Sequence, residues 1–323
     1  MSCSLIEKIS KLAAEDIGRT TFAAPLSAHN SWKIGGDADL LVEPATVEQV
    51  ARVVKYARAE SIPLVVIGQG TNLLFDDAGL RGIVMKIGET LSHLEISSTT
   101  IIAGGGVWVP QLARQSMIAG LTGLEHCIGI PGTLGGLVVM NGGSHQHGIG
   151  ENVVSVTIVD RDGQQQKLSR DECHFAYRQS ALQGLDCVVV EVELNCQSGE
   201  RGEIRRAMAE DLRTRRSKFP RKQPNCGSVF LSTAEMHATV GPPGKIIEDA
   251  GLKGLRVGGA EVSQQHANFI VNLGTATAAD VLELISRIRW TARETIGFEL
   301  DCEVRYVDPL GDIVPAHLRA DLI

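Results

Sequence analysis

The chain has 323 residues, 43% of them hydrophobic and 21% charged, which excludes a disordered, collagen-like or coiled-coil chain and, at about 150 residues per domain, points to two domains. A net charge of −7 provides no broad basic footprint for nucleic acid, so an anionic ligand has to be held locally by backbone amides or a few placed Arg and Lys. Glycine is enriched at 35 residues.

In chain order, residues 1–27 read as a short helix and linker. Charges at Glu7, Lys8, Lys11, Glu15 and Asp16 break every apolar run there, so no export signal is expected. The seven cysteines form no C-x-x-C pair, and reduced thiols in the cytoplasm follow. Thr46-Val-Glu-Gln49 opens a helix with Val47, Val50, Val54 and Ala57 on one face. Leu64-Val-Val-Ile67 is a buried strand, followed by the turn Gly68-Gln-Gly-Thr-Asn72. Strands are expected at 82–85 and 100–103, and a helix at 110–119 closed by Gly120. The run 129–150 is expected to be dominated by loop. Residues 153–159 and 166–168 form a hairpin across Asp160-Arg-Asp-Gly163, and 187–194 is a further strand. The charged helix 203–218 marks entry to a second domain. There, 245–250 is a short helix, 257–259 and 269–272 are strands, Thr277 opens a long helix ended by Gly297, and 299–307 is a last strand. Strands and helices mix without strict alternation, which gives an α+β fold.

Five constellations can carry chemistry. The turn at Gly68–Asn72 can present amides to a pyrophosphate. It lacks the third glycine and following helix of a Rossmann site, and the chain holds no P-loop; a plain tight turn is the rival. Six glycines in fifteen residues at 129–143 suit backbone that approaches a ligand closely, with a glycine hinge as the plainer alternative. Arg178, in Tyr177-Arg-Gln-Ser180, is either a solvated surface residue or a carboxylate clamp. Ser228, in Pro224-Asn-Cys-Gly-Ser-Val-Phe230, either caps a turn or exposes a hydroxyl in a cleft. Glu303 and Arg305 share one strand face and form either a surface pair or an acid and a cation at a reacting carboxylate. His145 and His147 form H-x-H, better explained by a polar loop than by a metal, and Cys226 reads as a packing residue.

Taken together, the order of pieces is distinctive. It runs Asn30-Ser-Trp-Lys-Ile-Gly-Gly36, Gly68-Gln-Gly-Thr-Asn-Leu-Leu74, Gly120-Leu-Thr-Gly-Leu-Glu125, Gly129-Ile-Pro-Gly-Thr-Leu-Gly-Gly136, Met140-Asn-Gly142, Tyr177-Arg-Gln-Ser180, Asn225-Cys-Gly-Ser-Val-Phe230, Ala250-Gly-Leu-Lys-Gly254, His266-Ala-Asn-Phe-Ile-Val-Asn272 and Glu303-Val-Arg305. From about residue 28 to 307 the chain resembles the UDP-N-acetylenolpyruvoylglucosamine reductase (MurB) family, in its shorter type without a tyrosine-bearing loop.

The resemblance implies a two-part FAD-binding domain of the vanillyl-alcohol-oxidase (PCMH) type over 28–200 and an α+β substrate domain over 201–323. It implies FAD held by Gly68, Gln69, Gly70, Thr71 and Asn72, and by Gly129, Ile130, Pro131, Gly132, Thr133, Gly135, Gly136 and Asn141. NADPH would reduce the flavin. Hydride would pass to C3 of the enolpyruvyl group, Arg178 and Glu303 would hold its carboxylate, and Ser228 would give a proton to C2. Lys218 and Arg305 would contact the substrate. Expected with this are a cytoplasmic monomer without metal, nucleic acid or membrane, and a place in peptidoglycan synthesis, cell shape and division.

The chain departs from the family where Lys-Asn-Pro is usual, having Leu231-Ser-Thr and what reads as an insertion over 232–243. Two rival readings are a flavin oxidase of the same superfamily, which a flavin tethered to His or Cys would favour, and a redox sensor that kept FAD without turnover.

Overall fold

Thr46 sets the start of the first long helix. In the computed structural model, which describes residues 4–144 and 147–322, its hydroxyl accepts from the Gln49 N–H (3.2 Å). Gln49 turns back to accept from the Ala45 N–H (2.7 Å). Helix Val47–Ala59 then buries Val50, Val53, Val54 and Ala57. The chain returns as strand Leu64–Ile67, parallel to Leu80–Lys86, in a four-stranded sheet completed by Asp37–Glu43 and, at its edge, Arg19–Pro25. That edge strand lies where only helix and linker are expected. It is largely exposed, so it shows none of the alternation that marks a half-buried strand.

A second sheet of five antiparallel strands runs in the order Gln165–Ser169, Val153–Val159, Val188–Asn195, Thr100–Gly104, Leu94–Ser97. The expected hairpin is present, with Ser155 opposite Ser169 and Val159 opposite Gln165. Helix Val109–Ile118 ends two residues before Gly120, whose φ of 72° favours glycine.

The glycine-rich run, expected to be dominated by loop, contains one short helix, Leu134–Val139. Leu134, Leu137 and Val138 are buried on it. Gly135 faces inward, and a Cβ there would lie 3.1 Å from the Gly105 carbonyl oxygen. Glycine is used here for close packing, which outweighs its low helix propensity.

By contacts the chain divides into two units. One comprises Met1–Phe22, Asp39–Gln69 and Gly82–Arg215, and the other Ala23–Ala38, Gly70–Arg81 and Arg216–Ile323. Helix Arg201–Lys218 therefore falls largely in the first. In the second, helix Ala278–Ile296 is capped reciprocally by Thr277 and Asp280, buries Val281, Leu284, Ile285 and Ile288, and ends at Gly297 with φ 65°. Around it lie a three-stranded sheet, Arg256–Val257, Ala260–Val262 and Ile270–Asn272, and a second in which Leu73–Phe75 runs parallel to Arg305–Val307 and that strand pairs with Ile313–Pro315.

The expected strand 299–307 is shorter than its alternation suggests. Only Arg305–Val307 pairs continuously. The N–H groups of Glu303 and Val304 both turn to the Val229 carbonyl (2.8 and 3.4 Å), which pinches the ladder. The stretch 232–243 includes a short helix. Thr233 caps helix Ala234–Thr239, and Met236 enters the second unit's core. Among the described residues no helix is long and apolar enough to cross a membrane.

Candidate active site

The predicted residues fall into two clusters, one in each unit. In the first, Gly68 ends the strand Leu64–Ile67, and a Cβ there would collide with the Thr133 side chain. The missing side chain lets the two glycine-rich segments lie against each other. Gly132 has φ 130°, and Gly136 faces open space, with Thr133 Oγ1 the nearest atom to its would-be Cβ at 3.7 Å. The N–H groups of Gly68, Gln69, Gly132, Thr133 and Gly136 donate to no acceptor among the described residues. Uncharged donors on close-approaching backbone suit the oxygens of a dinucleotide pyrophosphate. The residues present therefore fit a nucleotide cofactor. Gly129 packs on Arg215, Ile130 turns its N–H to the Cys127 carbonyl (3.0 Å), and Pro131 is exposed.

The other turn residues lie in the second unit. Gly70 has φ 61° and is pressed against His29 and Asn30, and Thr71 is half-buried. Asn72 donates from Nδ2 to the Glu303 carbonyl (3.1 Å), and its own carbonyl accepts from the Arg305 N–H (3.1 Å).

Arg178 sits at the tip of a two-residue turn closed by reciprocal bonds between Ala176 and Gln179. Its φ is 54°, a left-handed conformation that costs a non-glycine residue about 1 kcal/mol or more. The guanidinium donates to the Gly143 carbonyl (2.9 Å) and lies over the Tyr177 ring (5.3 Å). Asn141 has φ 42° and is buried. Its Nδ2 donates to the Ala176 carbonyl (2.7 Å) and its Oδ1 accepts from the Gly150 N–H (2.9 Å). Arg215 contributes a second guanidinium. Burial, and after it the positive charge of Arg178, lower its proton affinity, while Asp211 opposes them. Nothing in its position within a charged helix singles Arg215 out in the sequence.

In the second unit, Ser228 lies on the loop before Phe230. Its hydroxyl is half-buried and bonds no group among the described residues. Gly227 beside it has φ 80°, and Asn225 Oδ1 accepts the Gly227 N–H (3.0 Å). The structure brings this loop to Glu303, whose N–H donates to the carbonyl of Val229 (2.8 Å). Burial alternates from Cys302 to Tyr306, leaving Glu303 and Arg305 together on the half-buried face. Burial lowers the proton affinity of Arg305. Lys218 is exposed at the end of its helix, near enough to His266 that its charge helps depress that imidazole, behind burial and Lys253.

Asn268, which the sequence offers only as part of the motif His266–Asn272 and with no role of its own, holds this loop. It is 4% exposed. Its Oδ1 accepts from the Phe230 N–H (2.9 Å), its Nδ2 donates to the Phe230 carbonyl (3.0 Å), and its own carbonyl accepts from the Val229 N–H (2.9 Å). The motif Asn30–Gly36 is likewise structural. Asn30 ties the carbonyls of Leu26 and Ile34 (2.7 Å each), and Trp32 Nε1 donates to the Ile270 carbonyl (2.7 Å). Cys226 is a buried packing thiol whose proton affinity burial raises far above normal. His147 pairs with Glu151 (2.8 Å), while His145 lies outside the described residues. Among the described residues no three His, Cys, Asp or Glu gather as a metal site.

Residues 38–169 match the family described as "FAD binding domain", and residues 219–307 that described as "UDP-N-acetylenolpyruvoylglucosamine reductase, C-terminal domain". These matches and the two-sheet α+β first unit define an oxidoreductase with an FAD-binding domain. UDP-N-acetylenolpyruvoylglucosamine reductase 1 of Corynebacterium glutamicum is 47% identical over 290 residues, covering 90% of this chain and 87% of its own. The reductase of Bacillus velezensis is 39% identical over 300 residues, covering 93% and 97%. A crystal structure of the Thermus caldophilus reductase superposes with a TM-score of 0.75 at 32% identity, covering 89% of this chain and 98% of that one. The chain belongs to the UDP-N-acetylenolpyruvoylglucosamine reductase (MurB) family.

Proposed function

We propose that the protein reduces UDP-N-acetylglucosamine enolpyruvate to UDP-N-acetylmuramate with NADPH, in peptidoglycan precursor synthesis. FAD, when bound, supplies the hydride that NADPH provides and C3 of the enolpyruvyl group receives. Gly68, Gln69, Gly70, Thr71 and Asn72 and the segment Gly129 to Gly136 hold it through backbone. Arg178 grips the substrate carboxylate. Negative charge grows there as C3 is reduced, so a fixed guanidinium stabilises the transition state more than the ground state. Glu303 orients the same carboxylate, and Ser228 Oγ delivers a proton to C2. A serine hydroxyl is a weak acid, so its loss of a proton needs neighbours that stabilise the alkoxide or relay another proton. Lys218 meets the UDP phosphates, and Arg305 supports the substrate. Substrate residues then belong mainly to the chain after 200 and flavin residues to 28–200. The reading includes a cytoplasmic monomer.

The observation that carries this mechanism is the Ser228 hydroxyl, without a hydrogen-bond partner among the described residues, one residue from the backbone bond to Glu303. An anaerobic titration tests it. NADPH is expected to bleach the flavin absorbance near roughly 450 nm, a property of the cofactor, and the enolpyruvyl substrate to restore it. Bleaching without recovery would point to another acceptor, and a protein that binds no FAD would overturn the reading.

A further inference from the structure

Arg178 reaches its position through a strained turn, and that turn is docked from outside. Gln183 lies on the 3-10 turn Ala181–Gly184. Its Nε2 donates to the Arg178 carbonyl (2.9 Å) and to the Val139 carbonyl (3.1 Å), with Met140 Sδ at 3.8 Å. Val139 is the last residue of the helix that carries Gly135 and Gly136. Ser180 Oγ donates to the same Val139 carbonyl (2.6 Å). One side-chain amide thus ties the backbone of the arginine to the end of the glycine-bearing helix.

We infer that Gln183 is a positioning residue, which holds Arg178 in its left-handed conformation and fixes its distance from the Leu134–Val139 helix. Asn141, bonded to the Ala176 carbonyl, holds the other side of the turn. The inference rests on the reading of Arg178 as the carboxylate grip. A grip displaced by an ångström loses alignment between the carboxylate and the hydride donor, which costs rate without costing cofactor.

The test compares Gln183→Leu, Gln183→Glu and Arg178→Ala, alone and combined, as FAD-loaded protein. Leucine cannot donate, and glutamate keeps the shape but presents no N–H. Both Gln183 variants are expected to leave flavin reduction by NADPH nearly intact and to slow reoxidation by the enolpyruvyl substrate about 10- to 100-fold, the usual scale for a supporting partner. Amide hydrogen exchange over 176–179 should rise in both. In the Arg178→Ala background Gln183→Leu should add no further slowing, because its effect passes through Arg178. Equal slowing of both half-reactions, full additivity, or unchanged exchange and rate would overturn the inference. If Arg178→Ala slows reoxidation and the Gln183 variants do not, the inference alone fails. If Arg178→Ala has no effect, the carboxylate reading fails and takes the inference with it.

Discussion

The two clusters are built by opposite means. In the first unit backbone comes close because side chains are missing: Gly68 lies against Thr133, and Gly135 against Gly105. In the second, side-chain amides hold the backbone, with buried Asn268 bracketing Phe230, half-buried Asn72 reaching the Glu303 carbonyl, and buried Asn272 donating to the Trp32 carbonyl (2.9 Å). A glycine acts by steric permission, whereas an asparagine acts through directed bonds. The first kind of site should fail by crowding and the second by stranding polar groups away from water.

The largest expected effect isolates the chemistry from both. Ser228→Ala should slow flavin reoxidation by the enolpyruvyl substrate about 10²- to 10⁴-fold while flavin reduction by NADPH stays nearly intact. Stopped-flow absorbance reads both steps, and equal slowing of the two would remove Ser228 from its role. Next, Asn268→Leu should cost about 2–4 kcal/mol in urea unfolding, since it strands the N–H and carbonyl of Phe230. A loss under about 1 kcal/mol would mean that the bracket is not what holds the loop.

Crowding predicts a different signature. Gly68→Ala should cost about 1–3 kcal/mol, and Thr133→Ala in the same chain should recover much of it. Absence of recovery in thermal melts would sink the account of that contact. The smallest effect is acid sensitivity in the second unit. His317 Nδ1 accepts the Cys302 N–H (2.9 Å), and His266 Nδ1 accepts the Asn268 N–H (3.2 Å), bonds that protonation removes. Both imidazoles are held below their ordinary value, first by burial. Their contribution is therefore whole above the unfolded-state value of about 6.5 and is lost as pH falls below it. Lowering pH from 7 to 5 should drop Tm by roughly 2–4 °C and speed exchange at the Cys302 and Asn268 amides. Exchange at Gly135, bonded to the Gly105 carbonyl (2.8 Å), should stay at its intrinsic pH dependence, and a parallel change there would erase the contrast.

The same contrast explains what the sequence made legible. Caps and glycines speak locally: Thr46, Thr277, Gly120 and Gly297 mark helix ends within a few residues of the elements they bound. The strand–turn at Gly68 and the catalytic candidates follow from ordered motifs. Asparagine brackets do not, because their partners are remote. Asn268 and Phe230 are 38 residues apart, and Asn72 and Glu303 are 231 apart. Asn72 and Asn141 read as cofactor contacts in the motif, yet each spends its amide N–H on a protein carbonyl. Helix Leu134–Val139 was hidden by its own glycines, and strand 299–307 was shortened by a pinch that alternation cannot signal.

The left-handed turn at Arg178 bears on how this protein could be engineered. Glycine takes a φ of 54° without penalty, so a selection for heat resistance alone will be drawn toward Gly or Asn at position 178. On the proposed role of Arg178, such a screen would enrich folded protein that no longer holds the substrate carboxylate. If Arg178 has that role, stability and turnover compete at this residue, and only a selection that demands both will keep the arginine.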